Sequence, residues 1–190
     1  MLRLLRHAST ELDDDAIKAL ARSDRRAGAD ALVRRYREPI FHHASWILKD
    51  QEEAIDVAQE VFIKAMREPR FFEPEFKMKA WLYRVTSNLC FNLVRDRRRR
   101  GAILEASPPR EQTQADQLDR VFEGQQRAEV LAAIDQMSED HKEILLLRYY
   151  DDMSYAEIAE VLQVALGTVM SRLSRARRRL ADVLPAVPAP

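Results

Sequence analysis

Residues 154–180 read SYAEIAEVLQVALGTVMSRLSRARRRL, a stretch that predicts two short helices joined by a three-residue turn. Ser154 and Glu157 have the S-x-x-E spacing of a capping box, in which each side chain satisfies a free backbone N–H of the helix start. Two helices joined so tightly, the second longer and basic, fit a helix-turn-helix, whose second helix lies in the major groove of DNA. Projection at about 100° per residue puts Leu166, Val169, Leu173, Ala176 and Leu180 on one narrow packing stripe. Thr168, Ser171, Ser174, Arg175 and Arg178 fall on the opposite side, placed to meet base edges. Arg172 and Arg179 take one flank and Met170 with Arg177 the other, where long side chains reach phosphates. An arginine-rich terminal helix taken alone reads first as a solvated helix whose cations complement its negative end. The tight turn, the cap and the small Ser/Thr residues near the helix start favour DNA.

The rest of the chain is consistent with helices throughout. Only 4 glycines occur in 190 residues, alternating apolar and polar runs are few, and apolar residues recur at three-and-four spacing. A single cysteine, Cys90, excludes an internal disulfide framework and is expected to be buried and inert, and no Cys/His cluster has zinc spacing. A reducing cytoplasm fits best. The opening MLRLLRHAS is interrupted by Arg3 and Arg6 and is too short for a signal core or a membrane span. The formal net charge is zero, yet the charge is sorted along the chain. Residues 128–162 hold nine acids and two bases, residues 165–181 five arginines and no acid, and RDRRRR occupies residues 95–100.

Two small helical domains joined by a flexible linker are therefore expected: an arm over residues 1–12, a first unit over 13–100, a linker over 101–117, a second unit over 118–184 and a tail over 185–190. In the first unit, DDDAIKALAR sets acids in a first turn, and AGADALVRRYR runs to Pro39, where a helix restarts or kinks. In DQEEAIDVAQEVFIKAM, Ile55, Ala58, Phe62 and Ala65 with Met66 share one side, while Asp56, Gln59, Glu60 and Lys64 lie toward the other. The linker GAILEASPPREQTQADQ loses helical periodicity and gains Pro-Pro, Ser, Thr and Gln. The second unit reads as four short helices with turns at 137–138, 151–153 and 163–165.

MSYAEIAEVLQVALGTVMSRLSRARRRL resembles region four, and DVAQEVFIKA with AWLYRVTSNLCFNLVRDRRRR region two, of the extracytoplasmic-function (ECF) sigma factors, promoter-specificity subunits of bacterial RNA polymerase. The resemblance covers roughly Asp13 to Leu184. It implies that region two grips the coiled coil of the largest polymerase subunit and opens the minus-ten element. Region four would bind the polymerase flap and read the minus-thirty-five element through Thr168, Met170, Ser171, Arg172, Ser174, Arg175, Arg178 and Arg179. It also implies polymerase contacts at Asp56, Gln59 and Glu60, which taken alone read as a solvated helix face. The linker would thread toward the active-site cleft and the RNA exit channel. An anti-sigma protein, often membrane-bound, is implied as a partner; no cofactor and no metal are. The protein itself would insert in no membrane, and would sit in the cytoplasm, on the nucleoid when active.

The residues of region two suit that role. Met78, Leu82, Val85, Leu89 and Leu93 form a core stripe, with Lys77, Trp81, Arg84, Asn88 and Arg95 on the neighbouring one. Cations, an aromatic ring and an amide together suit single-stranded DNA, with its phosphates, unstacked bases and open base edges. Trp81, like Phe71 and Phe72, reads as a core residue or as a base platform; Asn88 matches the family's base-reading position. Arg95, Arg97 and Arg98 fit either phosphate contacts or a solubilising tail. RFFEPEFK would form the loop that pockets a flipped minus-ten base. The four histidines read as surface or satisfied core residues. Departures from the family pattern are Gln163 where a turn glycine is frequent, Ala165 where a capping Ser or Pro is common, Met170 where a basic residue is frequent, and Ile55 where an acid is usual.

Two rival classes are weaker. A stand-alone helix-turn-helix regulator would use the first unit for dimerisation or ligand binding, but that unit shows no ligand-pocket signature. A nuclease or nucleotidyl transferase needs clustered carboxylates for metal ions, and the nearest cluster, Asp13–Asp15, points its neighbours apart on a helix.

Overall fold

The computed structural model of the protein describes residues 12–103, 130 and 132–183. It contains α1 (Asp14–Ser23), α2 (Arg25–Leu48), α3 (Gln51–Arg67), α4 (Met78–Ile103), α5 (Glu139–Leu145), α6 (Tyr155–Leu162) and α7 (Leu166–Val183), with a π turn over Leu146–Tyr150. A short helical segment over 132–135 precedes α5, and there is no strand among the described residues. The expected arm up to residue 11, the linker beyond Ile103, the helix expected from Leu118 and the tail lie outside the described residues.

Carboxylates start the first three helices by accepting orphan backbone N–H groups. Asp13 Oδ1 accepts from the Ala16 amide at 2.8 Å, Asp24 from Arg26 and Ala27 at 2.9 and 3.0 Å, and Asp50 from Glu53 at 3.1 Å. Of the restart or kink expected at Pro39, the restart does not occur: α2 runs through it as one helix of 24 residues. A proline inside a helix forfeits one backbone bond and costs about 3 kcal/mol. Tyr36, Ile40, Ala44 and Leu48, all buried along one face of α2, outweigh that loss by packing on α1, α3 and α4.

The face of α3 also differs from expectation. Ala54, Val57, Ala58, Val61 and Ala65 are buried, whereas Ile55 and Ile63 are 46% and 51% exposed and Phe62 is half-buried. Small side chains let α3 approach α2 and α4 closely, so the larger apolar residues are turned outward. In the second unit Ile144, Leu147, Met153, Ile158, Val161, Val169, Leu173 and Ala176 are buried together, as the packing stripe of α7 requires. Leu166 is the exception at 50% exposed, because it opens α7 ahead of the part that lies on α5 and α6.

The turn between α6 and α7 is closed by Gln163 in the left-handed conformation, φ 53°. Ala165 then caps α7 with its carbonyl alone, accepting from Thr168 and Val169 at 2.9 and 3.2 Å. Ala165→Ser supplies the missing side-chain acceptor and is expected to stabilise the protein by about 1 kcal/mol. Thermal unfolding checks this; an unchanged midpoint contradicts the capping role given to Ala165.

The two units pack against each other. One buried apolar cluster runs from Ile17 in α1 to Ala176 in α7, and α4 packs directly on α6. Tyr83, Thr86, Ser87 and Cys90 on α4 are buried in addition to Met78 and Leu82 of its core stripe; Val85, Leu89 and Leu93 are half-buried. Burial pushes the Cys90 thiol up to about 12, which leaves it protonated and unreactive.

Candidate nucleic-acid interface

The helix-turn-helix is built as its sequence spacing demands. Ser154 N donates to Glu157 Oε2 at 2.8 Å and Ser154 Oγ accepts from the Glu157 amide at 3.2 Å, closing the capping box of α6. On α7, Met170, Ser171, Ser174, Arg175, Arg178 and Arg179 are exposed, and Thr168 and Arg172 are half-buried. Arg175 lies back along the helix, with Nε donating to the Ser171 carbonyl at 3.3 Å and its terminal nitrogen to the Ser171 hydroxyl at 3.4 Å. The same hydroxyl donates to the Thr168 carbonyl at 3.0 Å. Thr168, Ser171 and Arg175 are thus one hydrogen-bonded row on the outward face. Arg172 sits instead on the flank, 3.9 Å from Asp140 of α5.

The second surface is α4 with the turn over residues 68–77 that leads into it. Lys18, buried on α1, donates to the Pro74 carbonyl at 2.8 Å, and Arg25 donates to the Met66 carbonyl at 3.2 Å while lying over the Phe72 ring. These two cations fasten the turn to the α1–α2 corner. Phe71 is fully buried and Phe72 nearly so, so both are core residues rather than base platforms. Trp81 is half-buried, edge-on to Phe71 at 5.3 Å, and it lines an open cleft of about 510 Å³ with Arg70, Lys77 and Arg84. The ring thus packs on the core and also lines the cleft.

Asn88 is exposed one turn beyond Arg84 on α4, and Arg95 and Arg98 are exposed further along. Arg97 turns inward: it pairs with Glu53 of α3 and donates to the Leu48 carbonyl at 3.1 Å, which seats the end of α4 against the α2–α3 corner. Asp56, Gln59 and Glu60 are exposed on α3, in a surface that also carries Ile55 and Ile63.

The structure adds residues that the sequence reading left aside. His43 is fully buried between the units, with Nδ1 2.8 Å from the Asp151 carboxylate and Nε2 2.9 Å from the Ser87 hydroxyl, and its ring meets Tyr83 edge-on at 5.0 Å. Burial holds the neighbouring Glu143 carboxyl above its usual range, against the opposing pull of Ser87 and His43. Burial raises Glu157 too, but hydrogen bonds from Lys79 and Ser154 outweigh it and bring the carboxyl down to about 2. A carboxyl depressed on folding adds stability above its unfolded value near 4.5 and loses it as pH falls toward 2. The acid surplus of residues 128–162 was visible in the sequence, but it named no partner for any of these residues.

Among the described residues no cluster of His, Cys, Asp and Glu could hold a metal ion, and no helix is long and apolar enough to cross a membrane. Fold and site define an all-helical DNA-binding protein with a helix-turn-helix in its second unit. The family model described as Sigma-70 region 2 matches residues 32–100, and that described as Sigma-70, region 4 matches residues 127–180. The chain belongs to the sigma-70 family of RNA polymerase sigma factors, in its extracytoplasmic-function group, and is an initiation factor rather than an enzyme. The RNA polymerase sigma-H factor of Pseudomonas aeruginosa is 34% identical over 92% of this chain and 94% of its own length. The ECF RNA polymerase sigma factor SigE of Mycolicibacterium smegmatis is 33% identical over 82% of this chain and 61% of its own. Of solved structures, CnrH in complex with the cytosolic domain of CnrY is 26% identical with a TM-score of 0.66, covering 90% of this chain and 96% of that one.

Proposed function

We propose that the chain binds core RNA polymerase through the exposed face of α3, around Asp56, Gln59 and Glu60, and selects promoters with two separate DNA surfaces. The units over residues 13–100 and 118–184 act as regions two and four, with 101–117 as the linker between them. The outward row of α7 carries the reading: Thr168, Ser171 and Arg175 meet base edges, with Ser174 and Arg178 beside them, while Arg172 and Arg179 hold phosphates. Met170, 53% exposed, gives this face an apolar element suited to the thymine methyl group. On α4, Lys77, Trp81, Arg84 and Asn88 take the melted minus-ten strand, and Arg95 and Arg98 its phosphates. Arg97 supports that surface from behind. The factor works in the cytoplasm, on the nucleoid when active, and is held in check by an anti-sigma protein.

The observation that supports this reading best is the exposure of Asn88 and the α4 cations in line with a cleft walled by Trp81. Asn88→Ala is expected to reduce initiation on duplex promoters about tenfold while leaving core polymerase binding intact. Transcription assays beside a polymerase pull-down check it; normal initiation by the variant removes Asn88 from the base-reading set.

A further inference from the structure

Periodicity places Leu166 on the packing stripe of α7, yet it stands half exposed at the start of that helix, and Met170 is exposed to the same degree. The other large apolar side chains exposed among the described residues are Leu12, Val33, Ile55, Ile63 and Tyr149, and no two of these lie one helical turn apart. Leu166 and Met170 do, so they make one apolar patch about 6 Å long, at a rise of about 1.5 Å per residue. The patch borders the outward row of Thr168, Ser171 and Arg175. Between its two members Gly167 is helical and exposed, and a Cβ built on it would meet nothing within 4 Å. Nothing inside the protein calls for glycine there, and alanine is the better helix former. The bare backbone lets the start of α7 come close to an outside surface.

We propose that Leu166 and Met170 are a methyl-reading pair, which takes the C5-methyl groups of two thymines one or two base pairs apart in the minus-thirty-five element. This rests on the reading of α7 given above, and it moves Leu166 from the core to the specificity surface. The N-terminal residues of a recognition helix are the ones that meet base edges in the major groove. Thymine is the base that presents an apolar group there, whereas cytosine offers an amino donor that neither side chain can answer. The spacing agrees: base pairs stack about 3.4 Å apart, so the patch spans one or two steps. Arg175, five residues beyond Met170, lies about 7.5 Å further along the axis and meets a guanine about two steps on. Arg177, exposed on the same flank as Met170, follows where the helix leaves the groove and phosphates come within reach.

The test uses holoenzyme, assembled from the full chain and core polymerase, on a promoter fragment that gives starts dependent on the protein. The fragment is synthesised with deoxyuridine in place of thymidine, one position at a time across the minus-thirty-five element. Uracil pairs as thymine does and lacks only the methyl. Two positions one or two base pairs apart should each weaken binding about fourfold in competition gel shifts, the effect of one buried methyl. Leu166→Ala should abolish the penalty at one of them and Met170→Ala at the other, with unfolding midpoints unchanged because neither side chain is buried. Penalties that persist in both variants overturn the proposal, since another residue then reads the methyls. No penalty at any position, or an element with no thymine there, overturns it as well. Arg175→Ala separates that failure from the wider one: if it still weakens cognate binding, α7 remains the reading helix, and if it does not, the reading of α7 falls too. Loss of core polymerase binding in either variant, with the uracil penalties unchanged, gives the patch to a protein partner and overturns its contact with DNA.

Discussion

Gly28→Val is expected to destabilise the protein by about 3 kcal/mol or more, with α1 losing its seat on α2. Gly28 lies inside α2 where α1 crosses it, and a Cβ placed there would stand 2.4 Å from the Ala21 Cβ, 2.6 Å from its Cα and 2.8 Å from its backbone nitrogen. Two of those three atoms are backbone, so no rotamer change relieves the overlap and the helices must separate. Separation exposes Ile17 and Leu32, both fully buried, and draws Lys18 away from the Pro74 carbonyl that it holds at 2.8 Å. Helix propensity alone gives the opposite sign, since alanine is favoured over glycine by about 1 kcal/mol in a helix interior. Gly28→Ala therefore tells the two effects apart. Urea unfolding of both variants is the measurement: loss of stability in both supports the close crossing, whereas a more stable Gly28→Ala means that α1 and α2 do not meet there.

Arg175→Ala is expected to weaken binding to a cognate minus-thirty-five element by about 1 to 3 kcal/mol, the range of a bidentate base contact. The side chain is exposed on the outward face of α7 and rests on the Ser171 carbonyl and hydroxyl at 3.3 and 3.4 Å. That support pre-orders a long side chain, so less freedom is lost when it meets a base. Loss on the cognate duplex with little change on unrelated DNA is the expected pattern in a gel-shift titration. Equal weakening on both reduces Arg175 to a phosphate contact, the role assigned to Arg172 and Arg179.

The second unit was legible in the sequence because its signals are local. The capping box needs only Ser154 and Glu157, and the stripe of α7 needs only the period of a helix; Val169, Leu173 and Ala176 are all fully buried. Leu166 departs from its stripe because periodicity gives a direction and not whether a partner lies in it. Pro39 departs from local preference because the buried face of α2 on both sides of it overrides the loss of one backbone bond. On α3 the larger apolar side chains suggested the core face, but close helix approach selected Ala54, Ala58 and Ala65 and turned Ile55 and Ile63 outward.

What the sequence did not disclose is non-local. His43 and Asp151 are far apart in the chain, and neither sits in a pattern that predicts a partner. Glu157 was legible as a capping residue but not as a partner of Lys79, the contact that with the Ser154 bonds brings its carboxyl down to about 2. The two basic runs and the acid surplus of residues 128–162 were visible, but charge sorting along a chain does not say which surfaces meet. For the same reason Arg97 was grouped with its arginine neighbours, whereas the fold commits it to Glu53 and the Leu48 carbonyl.

The most direct measurement is run-off transcription with purified core RNA polymerase on genomic promoter fragments, with and without the protein. Promoter-specific starts that require it, that share upstream motifs, and that weaken with Asn88→Ala and Arg175→Ala are the predicted result. Unaltered starts, or binding to DNA that leaves core polymerase unaffected, would contradict promoter selection by these two helical surfaces.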